Sequence, residues 1–250
     1  MDKALYTAMT GASASMRLTT AVYHNLANVS TPGFKAALVN TEAYPIEGSG
    51  QGLPTRVATV TKGLGFDARQ GAVEITGNPL DVALEESVWL AITDSSGNEA
   101  YTRGGELHTT ANGLLNTLGG HPVRGINDEP IAIPPGQTVH IGGDGQLSLV
   151  GLGQGPETLA QVGRLKLVTF GPGQLSRGAD GLFRTNNPEI KGLPAVGDVV
   201  TSGALESSNA DTVQSLVQMI ELQRKYESQV QLIKKADENA RVSSSLMRLA

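Results

Sequence analysis

The sequence lacks cysteine entirely: none of its 250 residues is a cysteine. This absence excludes disulfide bonds, thiol catalysis and cysteine-ligated metal sites. It is also compatible with a chain that enters an oxidising compartment, because no thiol can mispair there. Aromatic residues are scarce, at 4% of the chain. The core must therefore be built mainly from Val, Leu and Ile.

An excess of basic residues and a long apolar run are missing as well. The formal net charge is −5, which argues against broad nucleic-acid binding because that activity needs a basic face. The same balance leaves no polybasic membrane anchor, and no apolar run is long enough to span a bilayer. Met1-Asp2-Lys3 is not followed by a continuous apolar stretch, so we expect no cleaved signal peptide.

Glycine, by contrast, is abundant. The sequence has 31 glycines, above the usual ~7% of residues. Asn-Gly or Asp-Gly pairs at 112–113, 144–145 and 180–181 predict tight turns with positive φ. Residues 34–54 are expected to be irregular. Short Val-, Ile- and Leu-rich segments predict strands at 56–61, 72–76, 80–84, 88–93, 100–102, 105–109, 131–133, 139–141, 164–169 and 181–185.

Both ends of the chain show apolar residues at helical spacing. N-terminal steps of three and four residues form a heptad seam, which predicts a helix from the N-cap Asp2 to about residue 28, ended by Pro32 and Gly33. A second, longer helix is predicted from the N-cap Asp211 to about residue 249. The predicted assembly seam comprises Leu5, Met9, Ala12, Met16, Tyr23, Leu26, Val213, Leu216, Val217, Ile220, Tyr226, Val230, Ile233 and Ala240.

These patterns predict an α+β fold in which long N- and C-terminal helices form a coiled-coil-like stem and a β-rich central domain is inserted between them. The expected domains are an N-terminal helical stem over 1–34, an extended connecting segment with β character over 35–78, a central β-rich domain over 79–203 and a C-terminal helical stem over 204–250. The second helix is too long for such a β domain to cover, so we expect partner helices.

No pattern in the sequence indicates catalysis. The four histidines are dispersed without ligand spacing, and the glycine-rich segment 151–155 lacks the third glycine of a dinucleotide loop. Glu85 and Glu86 are adjacent, so in extended backbone they point to opposite faces and do not cooperate. Tyr101-Thr102-Arg103 is interpreted as hairpin support. We expect no enzyme activity, cofactor, metal or small-molecule substrate.

Three blocks of the sequence resemble a known family. Residues 24–35 resemble the N-terminal signature of bacterial flagellar rod and hook proteins, although the family usually has Asn where this chain has His24. Residues 77–84 and 101–105 are similar to the family's β-domain segments, with Gly104 in place of Asn, and residues 86–90 depart from its usual Gly-x-Gly-Phe-Phe. Residues 203–211 resemble its C-terminal signature. The match is carried by Asn25, Leu26, Ala27, Asn28, Thr31, Pro32, Gly33, Phe34, Lys35, Asp81, Tyr101, Thr102, Arg103, Leu205, Glu206 and Asn209.

The resemblance implies a structural role. Members of this family are axial subunits that pair their terminal helices and polymerise into the rod, which joins the ring complex to the hook. The first residues and the length of the chain are most similar to proximal-rod members. The implied partners are other rod proteins, copies of the chain itself and the flagellar export apparatus. The implied location is the periplasmic rod of the basal body, reached without a cleaved signal peptide.

Two alternative interpretations stay open at the level of sequence. One is a distal-rod or other hook-family homologue, which would share the same signatures. The other is a carbohydrate-binding β module with helical oligomerisation arms. In that case Trp89 and Tyr101 would be exposed platforms on which sugar rings stack.

Overall fold

A computed structural model describes residues 3–45, 57–134, 137–151, 159–187 and 189–249. The predicted N-cap Asp2 and residues 152–155 of the glycine-rich segment lie outside these ranges. The chain divides into two compact units. The helical unit contains residues 1–27, 37–65 and 211–250, and the β unit contains residues 28–36 and 66–210. The predicted α+β fold class is confirmed: the chain has a helix near each end, and strands make up the middle of the sequence.

The helical unit is built on the two terminal helices. Helix α1 spans Lys3–Ala27 and helix α2 spans Thr212–Leu249, so both helices predicted from apolar spacing are present. Asp211 caps α2, because its carboxylate Oδ1 accepts a hydrogen bond from the backbone N–H of Gln214 at 2.9 Å.

The two helices pack against each other through small residues of α1. Gly11, Ala14 and Ser15 are buried, and a Cβ at Gly11 would lie only 2.7 Å from Nε2 of Gln229 on α2. Residues four apart share one face of a helix, so the Gly11–Ser15 row brings the backbones close together. Among the described residues, neither helix is long and apolar enough to cross a membrane.

Two strands complete the helical unit. Strand β1 spans Ala37–Pro45 and pairs with β2, which spans Val57–Phe66. The expectation that residues 34–54 are irregular is therefore wrong for 37–45. Asn25 of α1 explains the extended start of β1: its side-chain amide donates to the carbonyl of Ala37 at 3.1 Å and accepts from the N–H of Ala37 at 2.8 Å.

The β unit contains fifteen short strands within the described residues. A six-stranded antiparallel sheet has the order β13-β14-β6-β5-β12-β15, and β11-β10-β9 form a second sheet. Two-stranded sheets pair β16 with β4, β17 with β3 and β7 with β8. The bounds are β3 Val73–Ile75, β4 Val82–Leu84, β5 Val88–Thr93, β6 Glu99–Thr102, β7 Leu107–Thr109, β8 Leu115–Thr117, β9 Gln137–Ile141, β10 Gln146–Gly151, β11 Leu159–Arg164, β12 Leu167–Thr169, β13 Leu175–Arg177, β14 Phe183–Thr185, β15 Leu193–Pro194, β16 Val200–Ser202 and β17 Ala204–Glu206.

The core of the β unit is aliphatic, as the scarcity of aromatic residues predicts. Val82, Leu90, Ile92, Leu115 and Val123 are fully buried in one large cluster. Five aromatic residues belong to a smaller second cluster together with Ala91, Val168 and Leu175: Phe66, Trp89, Tyr101, Phe170 and Phe183.

The turn predictions are confirmed, whereas two strand predictions are wrong. Gly113, Gly145 and Gly181 all have φ near +80°. Residues 131–133 form no strand, because the N–H of Ile131 bonds to Val123 and that of Ile133 to Gly113. Residues 164–169 are not one strand: the N–H groups of residues 165 and 166 bond to carbonyls of two separate loops, so β11 ends before β12 begins.

Candidate functional site

Side chains from all three family-like blocks meet inside the β unit. Nζ of Lys35 lies 2.6 Å from Oε1 of Glu206, and Nε of Arg103 donates to Oε2 of the same carboxylate at 2.7 Å. The three side chains are buried almost completely, with exposures of 0–1%. One carboxylate thus joins two cations that are far apart in the sequence. We call Lys35, Arg103 and Glu206 the ion triplet.

The position of each charge follows from the element that carries it. Arg103 comes directly after β6, and Glu206 is the last residue of β17. Lys35 follows the Pro32-Gly33 break after α1, where φ of Gly33 is +69°. The predicted turn after α1 is therefore present, and it places Lys35 next to the carboxylate of Glu206.

Arg103 also organises the backbone around it. Its Nη1 donates to the carbonyls of Glu85 and Val88, each at 2.7 Å, and its Nη2 donates to the carbonyl of Leu84 at 2.9 Å. Together with the two contacts to Glu206, all five guanidinium donors have acceptors. Arg103 therefore does more than support a hairpin, because its guanidinium joins residues 84–88 to Glu206.

Asn209 ties a further set of backbone groups to the ion triplet. Its side-chain amide accepts from the N–H of Ala36 at 2.7 Å and donates to the carbonyls of Asp67 and Arg69, both at 2.9 Å. The carbonyl of Arg69 also accepts from Nζ of Lys35 at 2.7 Å. The residues beside the triplet are thereby cross-linked by hydrogen bonds that no sequence motif indicates.

Gly33 sits where only glycine fits. Its N–H donates to the carbonyl of Glu206 at 2.7 Å, and a Cβ at this position would meet the carbonyl oxygen of Arg103 at 2.2 Å. Since a positive φ also disfavours other residues, both backbone shape and space require glycine here.

Burial governs the electrostatics of this region. Burial lowers the pKa of Lys35 because it removes water from the ammonium group. The hydrogen bond to Glu206 opposes this shift, and the positive charge of Arg103 adds to it. Arg177 stacks over the ring of Phe34 at 4.1 Å and donates to the carbonyl of Lys35 at 2.9 Å. Burial also lowers the pKa of Arg177. Sequence reasoning missed Arg177, because its partners lie far away along the chain.

Asp81, another residue of the family-like blocks, has a structural role. Its carboxylate accepts from Oγ1 of Thr76 at 2.6 Å and from Nδ2 of Asn78 at 2.9 Å, while its carbonyl accepts from the N–H of Gly203. These bonds fix the turn between β3 and β4.

The two residues considered as sugar platforms are not available for that role. Trp89 is 4% and Tyr101 6% exposed, and both belong to the aromatic cluster in the core. Burial raises the pKa of the Tyr101 phenol above its usual range. Among the described residues, no group of three His, Asp or Glu side chains could hold a metal ion.

The predicted assembly seam is split between two environments. Ala12 is buried, and Leu5, Leu26, Val230 and Ile233 are half-buried. The others are exposed in the single chain: Met9, Met16, Tyr23, Val213, Leu216, Val217, Ile220, Tyr226 and Ala240. A role of these residues in assembly stays a prediction.

Two family descriptions match the sequence. "Flagellar basal body rod FlgEFG protein C-terminal" matches residues 201–246, and "Flagellar hook protein FlgE/F/G D1 domain" matches residues 83–149. The first range includes Glu206 and all but the last three residues of α2, and the second includes Arg103.

Curated relatives align along the whole chain. The flagellar basal-body rod protein FlgF of Escherichia coli (strain K12) is 39% identical over 257 residues, which covers 100% of both chains. FlgF of Salmonella typhimurium is 38% identical, also over 100% of both chains. The basal-body rod protein FlgG of Bacillus subtilis is 29% identical and covers 95% of this chain and 96% of its own. This chain therefore belongs to the flagellar basal-body rod protein FlgF family.

Proposed function

We propose that this protein is a structural subunit of the proximal part of the flagellar basal-body rod and that it polymerises through its terminal helices. Membership of the FlgF family over the full length of the chain carries this proposal. The relatives are named as rod proteins, not as enzymes, and a structural role needs no catalytic constellation.

The outward face of α1 supports polymerisation. Tyr6, Met9, Met16 and Tyr23 are about half or more exposed, and their spacing of three and seven residues places them along one stripe. The intrachain contact uses the opposite, small-residue face around Gly11. The large side chains are therefore free to pack against helices of neighbouring subunits.

Helix α2 offers a second uncovered stripe near its N-terminal end. Val213, Leu216, Val217 and Ile220 follow one another at steps of three, one and three residues, and each is exposed by 40% or more. Burying apolar area contributes about 25 cal/mol per Å². Neighbouring subunits that cover both stripes would gain this energy, which supports a helical assembly.

The partners we propose are copies of this chain, other rod proteins and, before assembly, the flagellar export apparatus. We place the assembled subunit in the periplasmic part of the basal body. The absence of cysteine supports this location, because an oxidising compartment cannot mispair the chain. Export without a cleaved signal peptide belongs to the same proposal.

The alternatives have less support. A distal-rod assignment is disfavoured because the FlgF proteins of Escherichia coli and Salmonella typhimurium match this chain at 39% and 38% identity, against 29% for the FlgG protein of Bacillus subtilis. A carbohydrate-binding module is disfavoured because Trp89 and Tyr101 are buried.

The test is deletion of the gene in the bacterium that carries it, followed by complementation. Basal bodies purified from the deletion strain should keep the membrane ring but lack the rod beyond it and the hook. A complementing copy with an epitope tag should restore hooks, and the tag should purify with the rod. Hooks of normal number in the deletion strain would overturn the proposal.

A further inference from the structure

The chain passes four times between the two units. The crossings lie at residues 27–28, 36–37, 65–66 and 210–211. Lys35, Arg69, Glu206 and Asn209 are each close in sequence to one of the last three crossings, and all four belong to the β unit. Within the β unit, these four residues therefore lie near the ends of the segments that lead to three of the crossings.

Side-chain hydrogen bonds join three of these passages to one another. Lys35 Nζ bonds to Glu206 and to the carbonyl of Arg69, so a single ammonium joins the second, third and fourth crossings. Asn209 repeats the same connection through Ala36 and Arg69. Two independent side chains thus link the same three passages.

Glu206 joins this group from the C-terminal side. Its Oε1 accepts from the N–H of Gly71 at 2.8 Å in addition to Lys35, and its own carbonyl accepts from the N–H of Gly33 at 2.7 Å. Arg103 connects the group to the β core through the carbonyls of Leu84 and Val88.

We propose that Lys35, Glu206 and Asn209, anchored to the core by Arg103, form a positioning clamp that holds the chain crossings at a fixed mutual spacing. The clamp holds together the ends of the β-unit segments that lead to the crossings, whereas the aliphatic cluster around Leu90 and Val123 holds the core of the β unit together. The clamp forms only when Lys35 from the N-terminal part of the chain and Glu206 and Asn209 from the C-terminal part are all present. The effect on rod assembly rests on the proposed function.

Lys35→Met is the variant that separates positioning from core stability. It removes the ammonium at nearly constant length and leaves Arg103 paired with Glu206, so no lone charge is buried. Hydrogen exchange of the full-length protein should become at least about tenfold faster at the amides of Gly33, Ala36 and Asn209, because these passages open locally. Core amides such as that of Ala91 should exchange as in the wild-type protein.

Lys166→Met is the matched control. Lys166 is also a paired lysine of the β unit, bonded to Glu99 and Asp128, but it lies outside the clamp. The control should leave exchange at the three clamp amides unchanged. Asn209→Ala keeps the ion triplet intact and serves if Lys35→Met does not fold. It removes the acceptor of the Ala36 amide itself, so exchange at Ala36 should rise at least as much as in Lys35→Met. The amides of Gly33 and Asn209, whose backbone acceptors remain, should accelerate to a smaller degree.

Two readouts decide the proposal. Unchanged exchange at the clamp amides, or an equal increase at core amides, would overturn the clamp itself. If exchange rises as expected, incorporation of Lys35→Met into rods should fall at least several-fold, and wild-type incorporation would overturn the positioning role. A wild-type chain absent from rods would instead count against the proposed function, since the exchange experiment does not depend on it.

Discussion

At the scale of single residues, two glycines with positive φ differ in what surrounds them, and this difference should appear in the stability of their variants. Gly33 combines a positive φ with a carbonyl oxygen 2.2 Å from where a Cβ would stand. Gly77 has a similar φ of +76° but nothing within 4 Å of its Cβ position. A comparison of substitutions at Gly33 and Gly77 therefore distinguishes the cost of the strained backbone from the cost of the steric clash.

We expect Gly77→Ala to lower the free energy of unfolding by about 1 kcal/mol, because only the left-handed backbone is strained. Gly33→Ala should lower it by roughly 1–3 kcal/mol more, since the backbone at Arg103 must also move. Urea denaturation of both variants measures the difference. Equal losses would mean that the close approach to Arg103 carries no energetic weight.

The loss of stability depends on which charge of the ion triplet is removed. Removing Lys35 leaves a neutral pair, whereas removing Glu206 leaves two buried cations without a counter-ion. Glu206→Gln should therefore destabilise the β unit by about 3–5 kcal/mol, and Lys35→Met by clearly less. Thermal or urea unfolding of the two variants checks the order, and a larger loss for Lys35→Met would contradict this account of the triplet.

At the scale of elements, helix α1 shows how one sequence pattern serves two surfaces. The heptad seam is real as a spacing, but α2 packs on the row of small residues and not on Met9, Met16 and Tyr23. Small side chains allow a close helix pair within the chain, and the large side chains of Met9, Met16 and Tyr23 stay exposed. Ile220 on α2 belongs to the second outward stripe.

Ile220→Asp should disrupt rod assembly while leaving the β unit folded. Ile220 is 48% exposed in the single chain, so the charge costs little until a neighbour buries it, when an unpaired carboxylate costs several kcal/mol, roughly 2–5. Motility and rod content measure the effect. Gln218→Asp is the control: it adds the same charge to an exposed polar position of the same helix, and it should assemble. Normal rods with Ile220→Asp would show that this stripe of α2 is not part of the interface between subunits.

At the scale of the whole molecule, the β unit depends on both ends of the chain. It contains residues 28–36 as well as 66–210, and the ion triplet needs Lys35 and Glu206 together. The predicted domain boundaries at residues 34, 78 and 203 divide the chain into consecutive segments. They therefore assign Lys35, Arg103 and Glu206 to three different domains. Whether they describe folding domains stays a prediction.

Two fragments test this dependence. A fragment of residues 28–210 should unfold cooperatively, with a midpoint close to that of the β unit in the full chain. A fragment of residues 37–203 retains the aliphatic core but lacks Lys35, Glu206 and Asn209, and Arg103 is left buried without its carboxylate. It should be less stable by about 3–5 kcal/mol or fail to fold. Equal midpoints would show that the core alone specifies the β unit.

The sequence by itself determined what depends on neighbours along the chain. Apolar spacing and the cap Asp211 define both helices, and Asn-Gly and Asp-Gly pairs define the turns, because periodicity and turn chemistry are local. Strand β5 was predicted with its observed bounds, 88–93. The blocks around Lys35, Arg103 and Glu206 were recognised as family-like, but their chemistry was not.

The tertiary structure decided what depends on residues far apart. Residues 131–133 and 164–169 have strand composition, yet their N–H groups bond to separate segments, and a ladder needs one continuous partner. Met9 and Ala12 share a seam in the sequence, but only the approach of α2 determines which one is buried. Lys35 is 171 residues away from Glu206 along the chain, and Arg103 is 103 residues away from it. Only the folded chain brings one carboxylate between two cations, because no local pattern records a contact across that distance.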